Sequence, residues 1–368
     1  MTMESKEIYY RLALSQVSGI GSKKQKILIK EFGGATGVFE ASAKRLKSIA
    51  GIHEANALAI KSFSDFGAID TELAHIEKLG IKVLPFDSPS FPNKLNYCID
   101  GPALLFVKGN GDLNPSKSLS IIGTRANTDY GRKVCEELIS EMKDMNITIF
   151  SGLAFGIDTI AHKACVKNKV PTFGVLAHGL GSIYPPAHKQ VAMEMLEQGG
   201  LISEYFSHEK AEKPNFPTRN RIVAGIADAT VVIETDRKGG SMITAEMAYS
   251  YNREVFCFPG RTIDSKSAGC NYLIKSLKSQ MITSLKDIVE QLNWEESQKK
   301  APAQRQLFVE LTAEEEKVVN VLRKKEHTHV DELYLETGLS SAQMASSMLS
   351  LEMQNLIKVL PGKMISLN

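Results

Sequence analysis

The feature that most constrains this chain is a succession of short, almost wholly apolar runs at 82–85, 103–107, 119–122, 148–150, 172–176, 201–203, 230–233 and 255–258, separated by segments of other texture. A strand with one wet face alternates apolar and polar residues, so runs without alternation belong to strands covered on both faces. The helical pattern at 131–145 lies between two such runs and makes a βαβ unit. The sequence therefore predicts an α/β fold, a doubly wound and mostly parallel sheet, over residues 80–294. At 368 residues the chain is too long for one ordinary domain.

The flanks differ from this core. Residues 1–79 read as short helices with a repeated punctuation. Val17-Ser18-Gly19-Ile20-Gly21-Ser22-Lys23-Lys24 places two glycines around an apolar residue, and Ile49-Ala50-Gly51-Ile52-His53 repeats it with His53 at the second glycine position. This is the pattern of a helix-hairpin-helix turn, in which glycine permits a tight bend and frees backbone N–H groups for a phosphate. Helix packing alone explains the turn equally well, and a solvated helix face explains Lys23, Lys24 and Lys26. Residues 295–310 are polar and aperiodic and read as a linker. Beyond them, 311–325 is helical behind a Thr312 cap with Glu315 at the capping-box spacing, 329–337 and 340–355 supply two more helices, and 356–367 carries two β-like runs about Pro361-Gly362. These make a winged-helix domain over 311–368. The segment 340–355 contains no Lys or Arg, whereas a winged helix that reads duplex DNA brings positive charge to phosphates. A protein-interaction or accessory role is expected of it. An exposed row of Met344, Met348 and Leu351 would mark that surface, core packing being the commoner reason for the spacing.

A net charge of +2 means that nucleic-acid binding must come from a local concentration of Lys and Arg. Five scattered cysteines without a CxxC pair argue against a disulfide framework or a zinc ribbon and fit a reducing cytosol. No apolar stretch approaches the length of a membrane span, and residues 1–11 lack the core of a signal peptide. The expectation is a cytoplasmic protein without a membrane.

Several loops at strand ends could carry chemistry. Ile122-Gly123-Thr124-Arg125 follows one strand, at the sheet edge where α/β folds bind ligands; Arg125 adds a guanidinium fork to backbone donors. Ser151-Gly152-Leu153-Ala154-Phe155-Gly156-Ile157-Asp158 ends the next strand, with a hydroxyl and two glycines that allow close approach. Asp158 and His162 share a helix face, but no third metal ligand is identifiable and a structural role reads better; no metal is expected. Lys213-Pro214-Asn215-Phe216-Pro217-Thr218-Arg219-Asn220-Arg221 reads as an extended approach to a helix from Ile222, combining an aromatic face with clustered cations, as sequence-tolerant single-strand binding needs. Gly239-Gly240-Ser241 opens another helix and is placed to donate to an anion. Such a turn also occurs in nucleotide-hydrolysing enzymes, so Glu246 or Glu204 keeps a hydrolase alternative open; no nucleophile system or P-loop lysine is present.

Taken together with Ala161-His162, Tyr184-Pro185, Ile202-Ser203-Glu204-Tyr205 and Phe258-Pro259-Gly260, these motifs resemble, in order, the core of the DNA-processing protein A family (DprA, also called Smf) over about residues 80–285. The resemblance implies an extended Rossmann-like core between a helix-hairpin-helix, SAM-like domain and a winged helix. It also implies homodimers, single-stranded DNA binding, and delivery of incoming DNA to RecA recombinase during natural transformation, without catalysis or cofactor. By position, Arg125, Lys213 and Phe216 match the DNA-gripping pocket. Gly123, Thr124, Ser151, Gly152, Arg219, Asn220, Arg221, Gly240 and Ser241 extend it. The sequence departs from the family at Cys270, where threonine is usual, and at Ala177-His178-Gly179. A duplex-DNA binder working through the winged helix is a third reading.

Overall fold

The structure, a computed structural model, describes residues 3–294, 311–325, 327–354, 356–360 and 362–367; the expected linker at 295–310 lies outside them. Nine strands form one sheet: β1 (Lys82–Pro85), β2 (Leu104–Gly109), β3 (Lys117–Ile122), β4 (Ile147–Ser151), β5 (Thr172–Val175), β6 (Gly200–Ser203), β7 (Ala229–Val232), β8 (Glu254–Cys257) and β9 (Gln280–Met281). Their order is β1-β2-β6-β5-β4-β3-β7-β8-β9. From β6 to β9 every neighbouring pair is parallel, and β2 alone runs against both β6 and β1. The winding goes outward from β3 in both directions, which is the doubly wound pattern.

The continuous apolar runs have the reason expected of them. Leu119, Ile121, Ile149 and Val231 pack on one face with the helices Asp129–Glu141 and Ile157–Asn168, while Ile122, Phe150 and Val232 pack on the other with Asn215–Ile226 and Gly240–Ser250. Alternate residues of a strand point to opposite faces, so a strand covered twice must be apolar throughout. The N-terminal helices end at Leu79, yet Leu14, Leu28 and Ile60 belong to the same apolar cluster as Phe150 and Val232. Arg11 fastens that region to the turn after β1, with a bidentate pair to Asp87 (2.7 and 2.8 Å) and a third bond to Glu7 (2.7 Å).

The winged helix has helices Ala313–Leu322, Val330–Thr337 and Ser341–Met353 and a small sheet of β10 (Thr328–His329), β11 (Ile357–Leu360) and β12 (Met364–Leu367). Its capping box forms: Glu315 N–H donates to Thr312 Oγ1, and Thr312 N–H to Glu315 Oε2. His329 stacks on Tyr97 of the core at 4.4 Å. Of the two readings of the Met344, Met348 and Leu351 spacing, the structure has the commoner one: Met344 and Leu351 are fully buried and Met348 packs against their cluster. Core packing won, and the apolar residues left exposed on that helix are Leu349 and Met353.

His162 is enclosed in helix Ile157–Asn168 with Nδ1 2.8 Å from Thr172 Oγ1 of β5, so its polar partner is the sheet and not Asp158. Burial pushes its pKa down from 6.5 to about 3. The unfolded chain takes up this proton near its ordinary pKa while the fold refuses it, so the stabilisation is complete above about pH 6.5 and is lost as pH falls toward 3.

Two stability measurements test this account. Urea unfolding at falling pH should cost wild type up to about 1.4 kcal/mol per pH unit from this group, and His162→Gln should show a shallower slope; parallel slopes would contradict it. Arg11→Ala should lower unfolding free energy by about 1–3 kcal/mol, the half-exposed Asp87 limiting the loss, and an unchanged denaturant midpoint would show that the clamp contributes nothing.

Candidate nucleic-acid interface

Because the winding diverges between β3 and β7, the connections leaving their carboxyl ends part and open a crevice. A cavity of about 400 Å³ lies there, lined by Gly123, Thr124 and Arg125 after β3, Gly152, Ala154 and Asp158 after β4, Arg219, Asn220 and Val223 of helix Asn215–Ile226, and Gly239, Gly240, Ser241 and Thr244. Four segments distant from one another in sequence are thus brought to one rim by topology.

The loop after β3 is fixed by the end of β7. Thr124 N–H donates to the Glu234 carbonyl (2.7 Å), and the buried Glu234 carboxylate accepts from Thr128 N–H (2.9 Å) and Thr128 Oγ1 (2.7 Å). The loop after β4 comes so close that a Cβ on Gly156, at φ +79°, would lie 2.2 Å from the Thr124 carbonyl oxygen. Only glycine meets both conditions. Helix Gly240–Ser250 begins at the cavity behind Gly239 with no side-chain cap, so its first-turn N–H groups and positive dipole end face the space. The Ser241 hydroxyl is already used, donating to Thr235 Oγ1 (2.6 Å), which leaves Ser241 its backbone N–H to offer.

Helix Asn215–Ile226 starts earlier than the sequence suggested, and this changes the reading of Arg219-Asn220-Arg221. Pro214 and Pro217 are compatible with a first helical turn, where no intrahelical N–H bond is lost. The helical face carrying Phe216, Arg219, Asn220 and Val223 turns toward the smaller cavity, while Thr218 and Arg221 face a larger one of about 810 Å³. Arg219 is buried. Its guanidinium donates to the carbonyls of Gly152 and Val175, and Asp158 lies opposite it; burial lowers its pKa to about 10 and raises that of Asp158. Arg219 therefore braces the rim. Arg221 pairs with Glu204 in the larger cavity. Ser151 also stays outside the smaller cavity, fully buried and donating to the Ile121 carbonyl (2.6 Å).

Outside the cavity mouth, the Arg125 guanidinium lies over the half-buried Phe216 ring, 5.4 Å from its centroid. Tyr184 approaches the same ring at 6.2 Å, and exposed Lys213 is one turn ahead, its carbonyl accepting from Phe216 N–H (3.4 Å). Tyr184 and Phe155 are both half exposed, Phe155 packing edge-on against His188 at 4.8 Å. Both lie inside sequence motifs that give them no role, since exposure of an aromatic residue is not visible in a run of letters.

The turn at Gly19-Ile20-Gly21 borders the larger cavity with Lys23, Lys24 and Arg221. Lys24 Nζ donates inward to the Gly19 carbonyl (3.2 Å) and to Asn56 (3.0 Å), tying the two punctuated turns together. Lys26 is no solvated face residue either: burial lowers its pKa to about 8, and it lies 5.5 Å from the Phe86 ring centroid. Of the two glutamates suggested for hydrolysis, Glu204 accepts from Ser22 Oγ (3.0 Å) in the larger cavity, and Glu246 pairs with Lys278 (3.2 Å); neither lines the smaller one.

Known proteins share this architecture. Residues 82–293 match the family model described as DNA recombination-mediator protein A, and residues 298–363 match the DprA winged helix domain. The DNA processing protein DprA of Bacillus subtilis is 38% identical over 221 residues, 60% of this chain and 74% of that protein. The X-ray structure of DNA processing protein A from Streptococcus pneumoniae superposes with a TM-score of 0.65 at 30% identity, covering 79% of this chain and 98% of that one. DNA processing protein A from Helicobacter pylori, solved for its unique single-stranded DNA binding mode, superposes with a TM-score of 0.53 at 28% identity over 58% of this chain and 96% of that one. A family model that covers more than half of the chain, a second that takes in its winged helix, and solved relatives of the same architecture agree: this chain belongs to the DNA recombination-mediator protein A family, DprA/Smf.

Proposed function

We propose that this chain binds single-stranded DNA on the β3/β7 rim and passes it on without covalent chemistry. One observation carries the reading: Arg125 lies over Phe216 beside a cavity into which helix Gly240–Ser250 opens its first turn. A phosphate meets a guanidinium fork and helix N–H donors, and a base meets an aromatic face. None of these groups distinguishes one base from another, as sequence-tolerant binding requires. Gly123, Thr124, Arg125, Gly152, Asn220, Gly240 and Ser241 supply the cavity, Lys213 and Phe216 its mouth, and Arg219 the brace. Ser151 supports the strand end, and Arg221 acts from the neighbouring cavity. The Helicobacter pylori relative supports the ligand by likeness. Membership of a recombination-mediator family supports the wider role: a cytoplasmic homodimer that protects incoming DNA and helps to load RecA recombinase during natural transformation, with no cofactor.

The positions of Glu204 and Glu246 outside the cavity weigh against the hydrolase reading. Turnover of a small nucleotide that is abolished by Glu246→Gln would restore it. The winged helix serves a protein contact in this account, since helix Ser341–Met353 carries no cation and exposes Leu349 and Met353. Loss of duplex binding on deleting residues 311–368 would argue for the regulatory alternative.

Fluorescence anisotropy with labelled oligo-dT and its duplex counterpart, at low and high salt, should show preferential and salt-sensitive single-strand binding. Arg125→Ala, Lys213→Ala and Phe216→Ala should each weaken it by about 1–3 kcal/mol, and only Phe216→Ala should leave the salt slope nearly unchanged. Unaltered binding in all three would overturn the site.

A further inference from the structure

On the side of the molecule where the N-terminal helices meet the core, Glu72 and His75 project from the helix Phe66–Leu79 toward His208, which follows β6. One ligand atom from each lies within 4.8 Å of the other two. Glu72 is fully buried, and among the described residues no Lys or Arg pairs with it. Its carboxylate is met by Ser207 N–H (2.7 Å), Ser207 Oγ (2.8 Å) and His208 Nδ1 (3.3 Å). A buried carboxylate is costly unless donors or a positive charge meet it, and here its side-chain partners are one hydroxyl and one imidazole. Two imidazoles that reach the surface are the groups placed to bring that charge.

We propose that Glu72, His75 and His208 bind a divalent transition-metal ion of the zinc type, which clamps the N-terminal helical region to the core. Two imidazoles and a carboxylate form a ligand set that suits tetrahedral Zn2+, with water in the fourth position. Metal–ligand bonds of about 2.1 Å put tetrahedral ligand atoms roughly 3.4 Å apart, and Glu72 Oε2 to His208 Nδ1 already has that spacing at 3.3 Å. Glu72 and His75 are three positions apart, so the helix presents both on one face. Ser207 holds the carboxylate through its N–H and hydroxyl, as an outer partner of a metal ligand does, and the same hydroxyl lies 3.4 Å from His75 Nδ1, a contact that metal binding replaces. Metal binding replaces the Nδ1 proton that otherwise bridges His208 to Glu72. The set is illegible in sequence because His208 is 136 positions from Glu72.

Chelator-stripped, tag-free, full-length protein titrated with Zn2+ by calorimetry should take up one ion per chain. The same protein titrated with Co2+ should develop the intense visible bands of tetrahedral coordination. His75→Ala and His208→Ala, which remove side chains at the surface, should each weaken Zn2+ binding by at least about tenfold and abolish the rise in Tm that Zn2+ gives wild type. Glu72→Gln should do the same if it folds. No saturable binding by wild type would overturn the proposal, as would binding that persists unchanged in both histidine variants, or cobalt bands of octahedral weakness.

Discussion

Arg219 is the buried charge on which the rim depends. Its guanidinium holds the carbonyls of Gly152 and Val175, at the carboxyl ends of β4 and β5, while Asp158 faces it from the first turn of helix Ile157–Asn168. Burial acts against both ions, lowering the Arg219 pKa and raising that of Asp158, so neither is tolerable without the other. The pair converts two loose strand ends and a helix start into one rigid edge. Phe216 and Asn220, on the same helix, are positioned by it.

That helix also lies between the β3/β7 crevice and the larger cavity beside the N-terminal helices. Arg219 and Asn220 face the β3/β7 crevice, and Arg221 turns to Glu204 and the space beneath the Gly19-Ile20-Gly21 turn. A residue and the next but one on a helix point to nearly opposite sides, so one Arg-Asn-Arg motif serves two sites. Helix Asn215–Ile226 therefore borders both the rim and the space beneath the N-terminal helices. The shared apolar cluster of Leu14, Leu28, Phe150 and Val232 packs those helices stiffly on the core.

The sheet was legible because strands covered on both faces leave an unmistakable apolar texture, and the loops that carry Gly123, Gly152 and Gly240 followed from where those strands end. The winged helix was legible from three helical segments and a terminal pair of β-like runs, with the Thr312–Glu315 box marking where the first helix starts. The orientation of individual side chains was not. Ser151 reads as a donor at a strand end, yet it is the last residue of a buried strand and points inward. Arg221 reads as a third cation because two prolines suggested an extended approach, whereas proline is also compatible with a helix's first turn. Met344 and Leu351 read as surface or core according to which face meets the neighbouring helices, and periodicity alone does not say which.

The central claim is that Arg125 and Phe216 act as one unit on a nucleotide, the cation on its phosphate and the ring on its base. A double-mutant cycle on oligo-dT affinity, comparing Arg125→Ala, Phe216→Ala and the double variant at one salt concentration, measures this directly. The account predicts a coupling energy of about 0.5–3 kcal/mol, the range for residues in contact. Strict additivity of the two losses would contradict it.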